Sequence, residues 1–169
     1  SKNRLAVADG GFPDGEEFIR VFEVPESGQP AVTYETGIKV GPISATDEIK
    51  AEGNFYGIAA TENAIFVTCN GDDTKGWISK ADMQGTEFGE LKRFIATKES
   101  TTPPTDAPVA ITVSPRGEIV VGQMGEITVA NDAKLNFYNA NNGKVLLDRD
   151  TGLHDITALL YSPKGHLYA

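Results

Sequence analysis

The chain is poor in the features that place a protein in several large classes. It has a single cysteine, Cys69, in 169 residues, which excludes an internal disulfide and every metal site built from several cysteines. Basic residues are outnumbered, with 15 Lys and Arg against 24 Asp and Glu, so the formal net charge is −9 and the pI is near 4.7. This acidic balance argues against nucleic acid and anionic membranes as partners, because both attract positive surfaces.

Long apolar runs are also missing. No stretch approaches the ~20 apolar residues that a membrane-spanning helix needs, and the first residues do not contain the apolar core of a signal peptide. The composition, 40% hydrophobic and 23% charged, is sufficient to bury a core. We therefore expect a soluble protein. One free cysteine is compatible with either side of a membrane, so the compartment, extracytoplasmic or not, stays open.

What the chain does contain is a repeated hairpin pattern. The segments AITVSPRGEIVV at 110–121 and ALLYSPKGHLYA at 158–169 align without gaps as an apolar strand, a Ser-Pro-basic-Gly turn and a second apolar strand. GIAATENAIFVT at 57–68 is a third copy with a shorter turn, and residues 1–9 match the second half of the pattern. The copies recur roughly every fifty residues, which is the period of β-propeller blades.

These repeats predict an all-β fold, a β-propeller with about three four-stranded blades in this chain. The whole of 1–169 is then one partial domain, with blade units at about 5–64, 65–118 and 119–167. The inner strands of each unit are nearly continuous apolar runs and the outer strands alternate, as expected of covered and half-exposed strands. A β-sandwich is the alternative, but a sandwich would not repeat the same hairpin at this period.

Three blades do not close a propeller, which needs roughly 4–8. Leu5 and Leu167 occupy equivalent second strands near the two ends of the sequence, so we expect a circularly cut half-ring with two apolar flanks. Either a second copy of the chain or a different polypeptide carrying the missing half would complete a six-bladed ring. The sequence leaves both partners open.

The repeats resemble a known type of propeller. The segments that carry the resemblance to NHL-type repeats and to the outer hairpins of bacterial propellers are SPRGEIVVG at 114–122, SPKGHLYA at 162–169, FIRVFEV at 18–24 and NANNGKVL at 139–146. The resemblance extends to the six-bladed gluconolactonase and strictosidine-synthase relatives, and it covers most of the chain. In those lactonases, acidic and Asn side chains at the axial ends of the inner strands hold a divalent cation. Their Asn-Gly pair is absent here, because Asn54 and Gly57 are separated by two residues.

The loops at one mouth of the expected channel are acidic. In a propeller, the connections from second to third strand and from blade to blade share one face. The candidate ligand-binding residues in this region are Asn54, Tyr56, Asp106, His154 and Asp155. Further acidic residues in the connections include Asp9, Asp14, Glu16, Glu17, Glu126 and Asp132. An acidic mouth suits a cation or a cationic or polyhydroxylated ligand.

Calcium is the cofactor that this mouth could hold. Asp72 and Asp73, in the loop NGDDTKG, are the candidate ligands, since Ca²⁺ prefers hard oxygen atoms. Their spacing is not that of an EF-hand. The alternative is that Asp, Asn and Gly only form turns in solvated loops.

No residue is assigned a catalytic role. His154 and Asp155 are neighbours on an extended chain and face opposite ways, so they are badly placed to act as a dyad. Cys69 is followed by Asp72 and Asp73, which disfavour a thiolate, and we expect it to be a small buried residue.

Two functions remain. The first is a non-catalytic propeller half that assembles into a closed ring and binds a ligand or protein on its acidic loop face. The alternative is a metal-dependent lactonase or hydrolase of the six-bladed type, with Asn54, Asp106 and Asp155 as axial ligands.

Overall fold

The computed structural model is built of antiparallel β-strands. It describes residues 4–9, 18–23, 33–39, 55–69, 76–85, 87–96, 107–125 and 129–169, and no helix occurs in these ranges. The strands are β1 (Arg4–Asp9), β2 (Phe18–Glu23), β3 (Thr33–Lys39), β4 (Phe55–Ala60), β5 (Ala64–Cys69), β6 (Trp77–Gln84), β7 (Glu87–Phe88), β8 (Lys92–Ala96), β9 (Ala107–Val113), β10 (Glu118–Met124), β11 (Lys134–Asn139), β12 (Val145–Asp150), β13 (Leu160–Tyr161) and β14 (Leu167–Tyr168). The prediction of an all-β fold is confirmed.

The strands form sheets in chain order. The first sheet runs β1-β2-β3, and the third sheet runs β12-β11-β10-β9. In the second sheet β4-β5-β6 are consecutive, and both β8 and the short β7 pair with β6. The pair β13-β14 forms a separate terminal hairpin. Consecutive antiparallel strands joined by short turns are what the repeated hairpin pattern predicts.

The turn of the repeat has the same geometry in both of its Ser-Pro-basic-Gly copies. Gly117 donates its N–H to the carbonyl of Ser114 at 2.9 Å, and Gly165 donates to Ser162 at 2.9 Å. The two glycines have φ of 78° and 82°, in the left-handed region that glycine enters without steric cost. The serine hydroxyls accept backbone N–H groups from within their own turns. Both serines are therefore structural, as their position in a repeated turn predicts.

The first and second sheets pack face to face. Ile19 of β2 is buried against Ile65 and Val67 of β5, and Ala6 of β1 packs on the same cluster. Ile65 and Val67 are two positions apart on one strand, so they share a face of the second sheet. The cluster is continued by Ala81 of β6 on that face.

The opposite face of the second sheet is covered by the third. Phe66 of β5 and Ile78 of β6 are buried against Ile119 and Val121 of β10, and Tyr138 of β11 joins the cluster. Because Phe66 alternates with Ile65 and Val67, the single strand β5 contributes to both interfaces. The second sheet is therefore the middle layer of a stack, and its strand β5 is buried at every position.

The outer face of the third sheet is covered only in part. Ala110 and Ala133 pack against Ile156, in the segment that follows β12. Gly122 allows this contact, because a Cβ at that position would meet the Ile156 side chain. The edge strand β12 is exposed at all its positions, whereas β11 is half-buried. The predicted alternation of the outer strands is thus wrong for β12, since no described sheet lies against it.

None of the described residues forms a helix of the length and apolarity needed to cross a membrane.

Candidate functional site

Strands β4 and β9 begin, and strands β5 and β10 end, at the same end of the stack, here called the upper end. Phe55 is paired with Cys69, and Ala107 is paired with Met124. The hairpin turns at 61–63, 114–117 and 162–165 lie at the opposite, lower end. Of the connections that the sequence predicts to be functional, the described residues 129–133 and 151–155 lie at the upper end.

A buried threonine joins the second and third sheets near the upper end. The hydroxyl of Thr68 donates to the carbonyl of Val109 at 2.7 Å and accepts the N–H of Gly57 at 2.8 Å. A hydroxyl can serve as donor and acceptor at once, so one side chain links β5 to both β4 and β9. The close approach needs Gly57, because a Cβ there would lie 2.5 Å from the Val109 oxygen. Strand β4 of the second sheet and strand β9 of the third are thereby held in contact.

The chain after β12 returns across the upper end of the third sheet. Asp155 forms an isolated bridge with Met124, and the N–H of Gly125 donates to the carbonyl of His154 at 2.9 Å. Ala133 donates in the same way to Leu153 at 3.0 Å. Through these backbone bonds, the segment after β12 becomes an additional pairing partner for the end of β10. They fix the backbone of the segment that carries the predicted site residues.

His154 lies beside Asp132, which follows the described turn at 129–131. Its Nδ1 is 3.9 Å from Asp132 Oδ1, a distance for charge attraction when the imidazole is protonated and too long for a hydrogen bond. Gly125 makes room for this arrangement, since a Cβ there would meet both the Asp132 carboxylate and the His154 carbonyl. His154 is exposed, while the Asp132 carboxylate is largely buried. The acidic neighbour of His154 is therefore Asp132 and not Asp155.

A buried amide lies at the end of β10. Gln123 is 2% exposed, and its Oε1 finds no hydrogen-bond partner. An unmade bond of this kind costs about 1–3 kcal/mol, and such atoms are found where a water or a ligand is bound. A register shift between Gly122 and Gln123 in the pairing with β9 marks the same place. The sequence offers no sign of this residue, because Gln123 reads as the polar end of an apolar strand.

The predicted ligand-binding residues are only partly described. Tyr56 is exposed at the start of β4, and His154 and Asp155 are exposed beside the end of β10. Asn54 and Asp106 lie outside the described residues, immediately before β4 and β9. The candidate calcium ligands, Asp72 and Asp73, also lie outside them. Within the described ranges, no group of three or more His, Cys, Asp or Glu is arranged to hold a metal.

Cys69 is buried and unsuited to nucleophilic chemistry. Burial raises the pKa of its thiol well above the usual range, and the nearby Ser79, Arg93 and Trp77 lower the pKa by less. Its Sγ lies 3.9 Å from the Ser79 hydroxyl. The thiol thus stays protonated at neutral pH, and the expectation of a small buried residue is confirmed.

Charged groups at the described upper end are mainly acidic. Lys134, at the start of β11, has its ammonium 3.6 Å from Asp150 and 3.9 Å from Asp148. These ion pairs are exposed and contribute little to stability. At this end His154 and Asp155 are exposed, and the Asp132 carboxylate beside His154 is largely buried.

Comparison with protein-family models and with curated proteins gave no match.

Proposed function

We propose that this chain is part of a β-propeller and acts as a non-catalytic binding module that presents its acidic upper end to a ligand or protein. The stacked sheets are its blades, and β4 and β9 are the innermost strands of two of them. Support comes from the repeated packing: Ile65 and Val67 face the sheet before, and Phe66 faces the sheet after. The first sheet packs on one face of the second sheet and the third sheet packs on the other, as consecutive blades do.

The observation that carries the binding function is the contrast between the two ends of the stack. The lower end consists of tight turns closed by their own backbone and side-chain hydrogen bonds. At the upper end His154 and Asp155 are exposed, the largely buried Asp132 carboxylate lies 3.9 Å from His154 Nδ1, and the buried Gln123 at the end of β10 has an unpartnered Oε1. Binding groups carried on connections and held by a rigid scaffold are typical of recognition sites.

The charge of the chain favours a particular class of ligand. With a net charge of −9, the protein attracts cations and repels anions over distances of about 10 Å at moderate salt. A divalent cation, a basic peptide or a polyhydroxylated ligand suits the oxygen atoms of Asp132 and Asp155. Calcium bound through Asp72 and Asp73 is part of this proposal.

A titration followed by amide NMR tests the binding module. Calcium, an oligolysine peptide and maltotriose are added separately to the uniformly ¹⁵N-labelled chain. We expect at least one probe to shift the amides of Gly125 and His154 at the upper end while Gly117 and Gly165, at the lower end, stay unchanged. Shifts confined to the lower turns, or no shift with any of the probes, would contradict the proposal.

Variants at the upper end sharpen the same experiment. Asp132→Asn keeps the shape of the side chain and removes its charge, and we expect it to weaken the binding of the responding probe several-fold. Asp148→Asn is the matched control, because it removes one carboxylate from exposed β12 and leaves the upper-end cluster intact. Equal loss in both variants would point to net charge alone rather than to a site.

The alternative, a metal-dependent lactonase or hydrolase, is favoured by the position of Asp155 at the end of the inner strands. It predicts calcium-dependent opening of a sugar lactone by the chain in its complete ring. That activity would be lost in Asp155→Asn and kept in Asp148→Asn. Such a result would replace the non-catalytic proposal.

A further inference from the structure

A groove of about 570 Å³ lies between the outer face of the third sheet and the terminal hairpin. Its lining is mixed: Pro115, Phe137, Leu146 and Leu147 supply apolar surface, and Arg116 and Glu118 supply charged groups. Leu146 and Leu147 are 48% and 38% exposed, although both are large and apolar. Surfaces of this kind on a soluble chain mark sites of association.

The covered interface between the second and third sheets shows what such a face accepts. In the repeat, the pair Phe66–Lys80 of the second sheet corresponds to the pair Val120–Phe137 of the third. On the second sheet this region is covered by the outer part of the next sheet. Tyr138 and Ala140 pack there on the cluster of Phe66 and Phe94, in contact with β8.

The third sheet approaches the second sheet closely at that interface. A Cβ at Gly143 would lie 3.0 Å from Ile95 Cγ1, so the β11–β12 turn rests directly on β8. On the third sheet, nothing within the described ranges fills the equivalent place over Leu146 and Leu147. Within the described ranges, the groove therefore stays uncovered where the second sheet carries the outer hairpin of the third.

The first sheet presents a matching face. Ala6 packs toward the second sheet, so Val7, the next residue on β1, points to the other side of its sheet. Val7 is 39% exposed. Its counterpart in the repeat is Val121, which is fully buried because it covers the second sheet. The open face of the first sheet thus corresponds to the face with which the third sheet covers the second.

We propose that the groove docks a second copy of this chain, whose first sheet packs on the third sheet of its neighbour as each sheet packs on the one before it. This inference rests on the proposed propeller and names its partner. The contact is head to tail, and because three blades from each copy complete a six-bladed propeller, two copies form two identical contacts and close a ring. The internal interface serves as the template, which is why a second copy fits better than an unrelated partner.

The strand complement of the two sheets is consistent with this arrangement. The first sheet has no described strand before β1, and β13 offers such a strand at the far end of the chain. β13 is paired with β14 only through Leu160–Tyr168 and Tyr161–Leu167, so little is lost when β1 of the second copy replaces β14. The exchange is a strand complementation, in which main-chain hydrogen bonds supply affinity.

Sedimentation equilibrium of the 169-residue chain over a wide concentration range tests the inference. We expect a reversible change from the mass of one chain, 18.1 kDa, to twice that mass. Since each copy carries a net charge of −9, we also expect added salt to strengthen the association. A chain that stays at the single mass at all concentrations, or that forms an open series of larger particles, overturns the inference.

Charge substitutions locate the contact. Leu147→Asp in the groove and Val7→Asp on the first sheet should each weaken association at least tenfold. Leu146→Asp is a second groove variant in case Leu147→Asp does not fold, and circular dichroism checks the folding of each. Val145→Asp is the matched control, because Val145 is paired with Tyr138, whose side chain faces the second sheet. An equal loss of association in Val145→Asp would overturn the placement of the contact in the groove.

Mixing the variants distinguishes head-to-tail docking from other dimers. A Leu147→Asp copy keeps an intact first sheet, and a Val7→Asp copy keeps an intact groove, so the mixture regains one of the two contacts. We expect a mixed dimer where neither variant dimerises alone. Failure of the mixture to associate, while the wild-type chain dimerises, would overturn the head-to-tail contact. None of these results depends on ligand binding at the upper end, which is measured separately on the single chain.

Discussion

Equivalent faces of the second and third sheets arise from the same repeated sequence pattern, but only the face of the second sheet is covered in the structure. Phe66 and Ile78 on the second sheet are buried by the third sheet, while Phe137 and Leu147 on the third sheet line an open groove. The residue types are similar, and both faces arise from the same strand alternation. Burial thus depends on whether a further sheet is present to remove the face from water.

The comparison also separates two kinds of stabilisation. The closed interface combines apolar packing with the hydrogen bonds of Thr68, which join three strands. The open face has apolar groups too, but among the described residues it is covered only by a small cluster in which Ile156 packs against Gly122, Ala110 and Ala133. We expect substitutions at the closed interface to be costly and those at the open face to be mild until the face is covered.

The largest expected effect is at Phe66. Phe66→Ala removes a fully buried ring and should lower the free energy of unfolding by about 3–5 kcal/mol. Leu146→Ala, on the open groove, should lower it by less than about 1 kcal/mol at a concentration where the chain is monomeric. Urea denaturation of both variants measures the difference. Equal losses would show that the groove is already buried in the single chain.

Thr68 tests the polar part of the closed interface. Thr68→Val keeps the shape of the side chain and leaves the Val109 carbonyl and the Gly57 N–H without this partner. A loss of about 1–3 kcal/mol is expected, because the bond to Val109 is buried and the bond to Gly57 is partly buried. Thr151→Val is the control, since the Thr151 hydroxyl also donates to a backbone carbonyl, of Ala133 at 2.7 Å, but at a half-buried position that water reaches. A larger loss for Thr151→Val than for Thr68→Val would reverse the comparison.

The serines of the two Ser-Pro-basic-Gly turns should also differ in how much they contribute to the free energy of unfolding. The Ser114 hydroxyl accepts hydrogen bonds from the backbone N–H groups of Arg116 and Glu118. Among the described residues, the Ser162 hydroxyl accepts a hydrogen bond only from the backbone N–H of His166. Ser114→Ala should therefore cost about 1 kcal/mol, and Ser162→Ala a smaller amount. Thermal unfolding of the two variants under identical conditions ranks them. The reverse order would imply that the terminal hairpin carries more of the stability than its exposure suggests.

The smallest expected effect is a change of stability at high pH. Partial burial raises the pKa of Tyr161 above its usual value of 10.0, the Glu118 carboxylate raises it further, and Arg116 lowers it. The folded state thus holds the phenolic proton more tightly than the unfolded state, so stability is kept below pH 10 and declines as the pH rises through the folded pKa.

Ultraviolet absorbance of the phenolate, compared with Tyr161→Phe, measures this titration. Because Tyr161 lines the groove, we expect its pKa to rise further when a second copy covers that surface. A pKa that is the same at low and high protein concentration would contradict docking at the groove.

Much of the local structure could be predicted from the sequence. The apolar strands, the Ser-Pro-basic-Gly turns and the alternation of faces follow from periodicity and from turn chemistry within about ten residues. The position of Tyr56 near the start of β4, and of Asp155 beside the end of β10, follows from the order of antiparallel strands. The proximity of His154 to Asp132 could not be predicted, because it depends on how the segment after β12 crosses the end of β10.

The sequence by itself determined that the chain forms β-strands, where they turn, and which residues alternate to opposite faces, since these properties arise from neighbouring residues. The tertiary structure alone decided that Gln123 is enclosed without a partner for its Oε1 and that Leu146 and Leu147 stay exposed. The physical reason is that burial is a property of contacts between sheets, which bring together residues that are far apart in the chain.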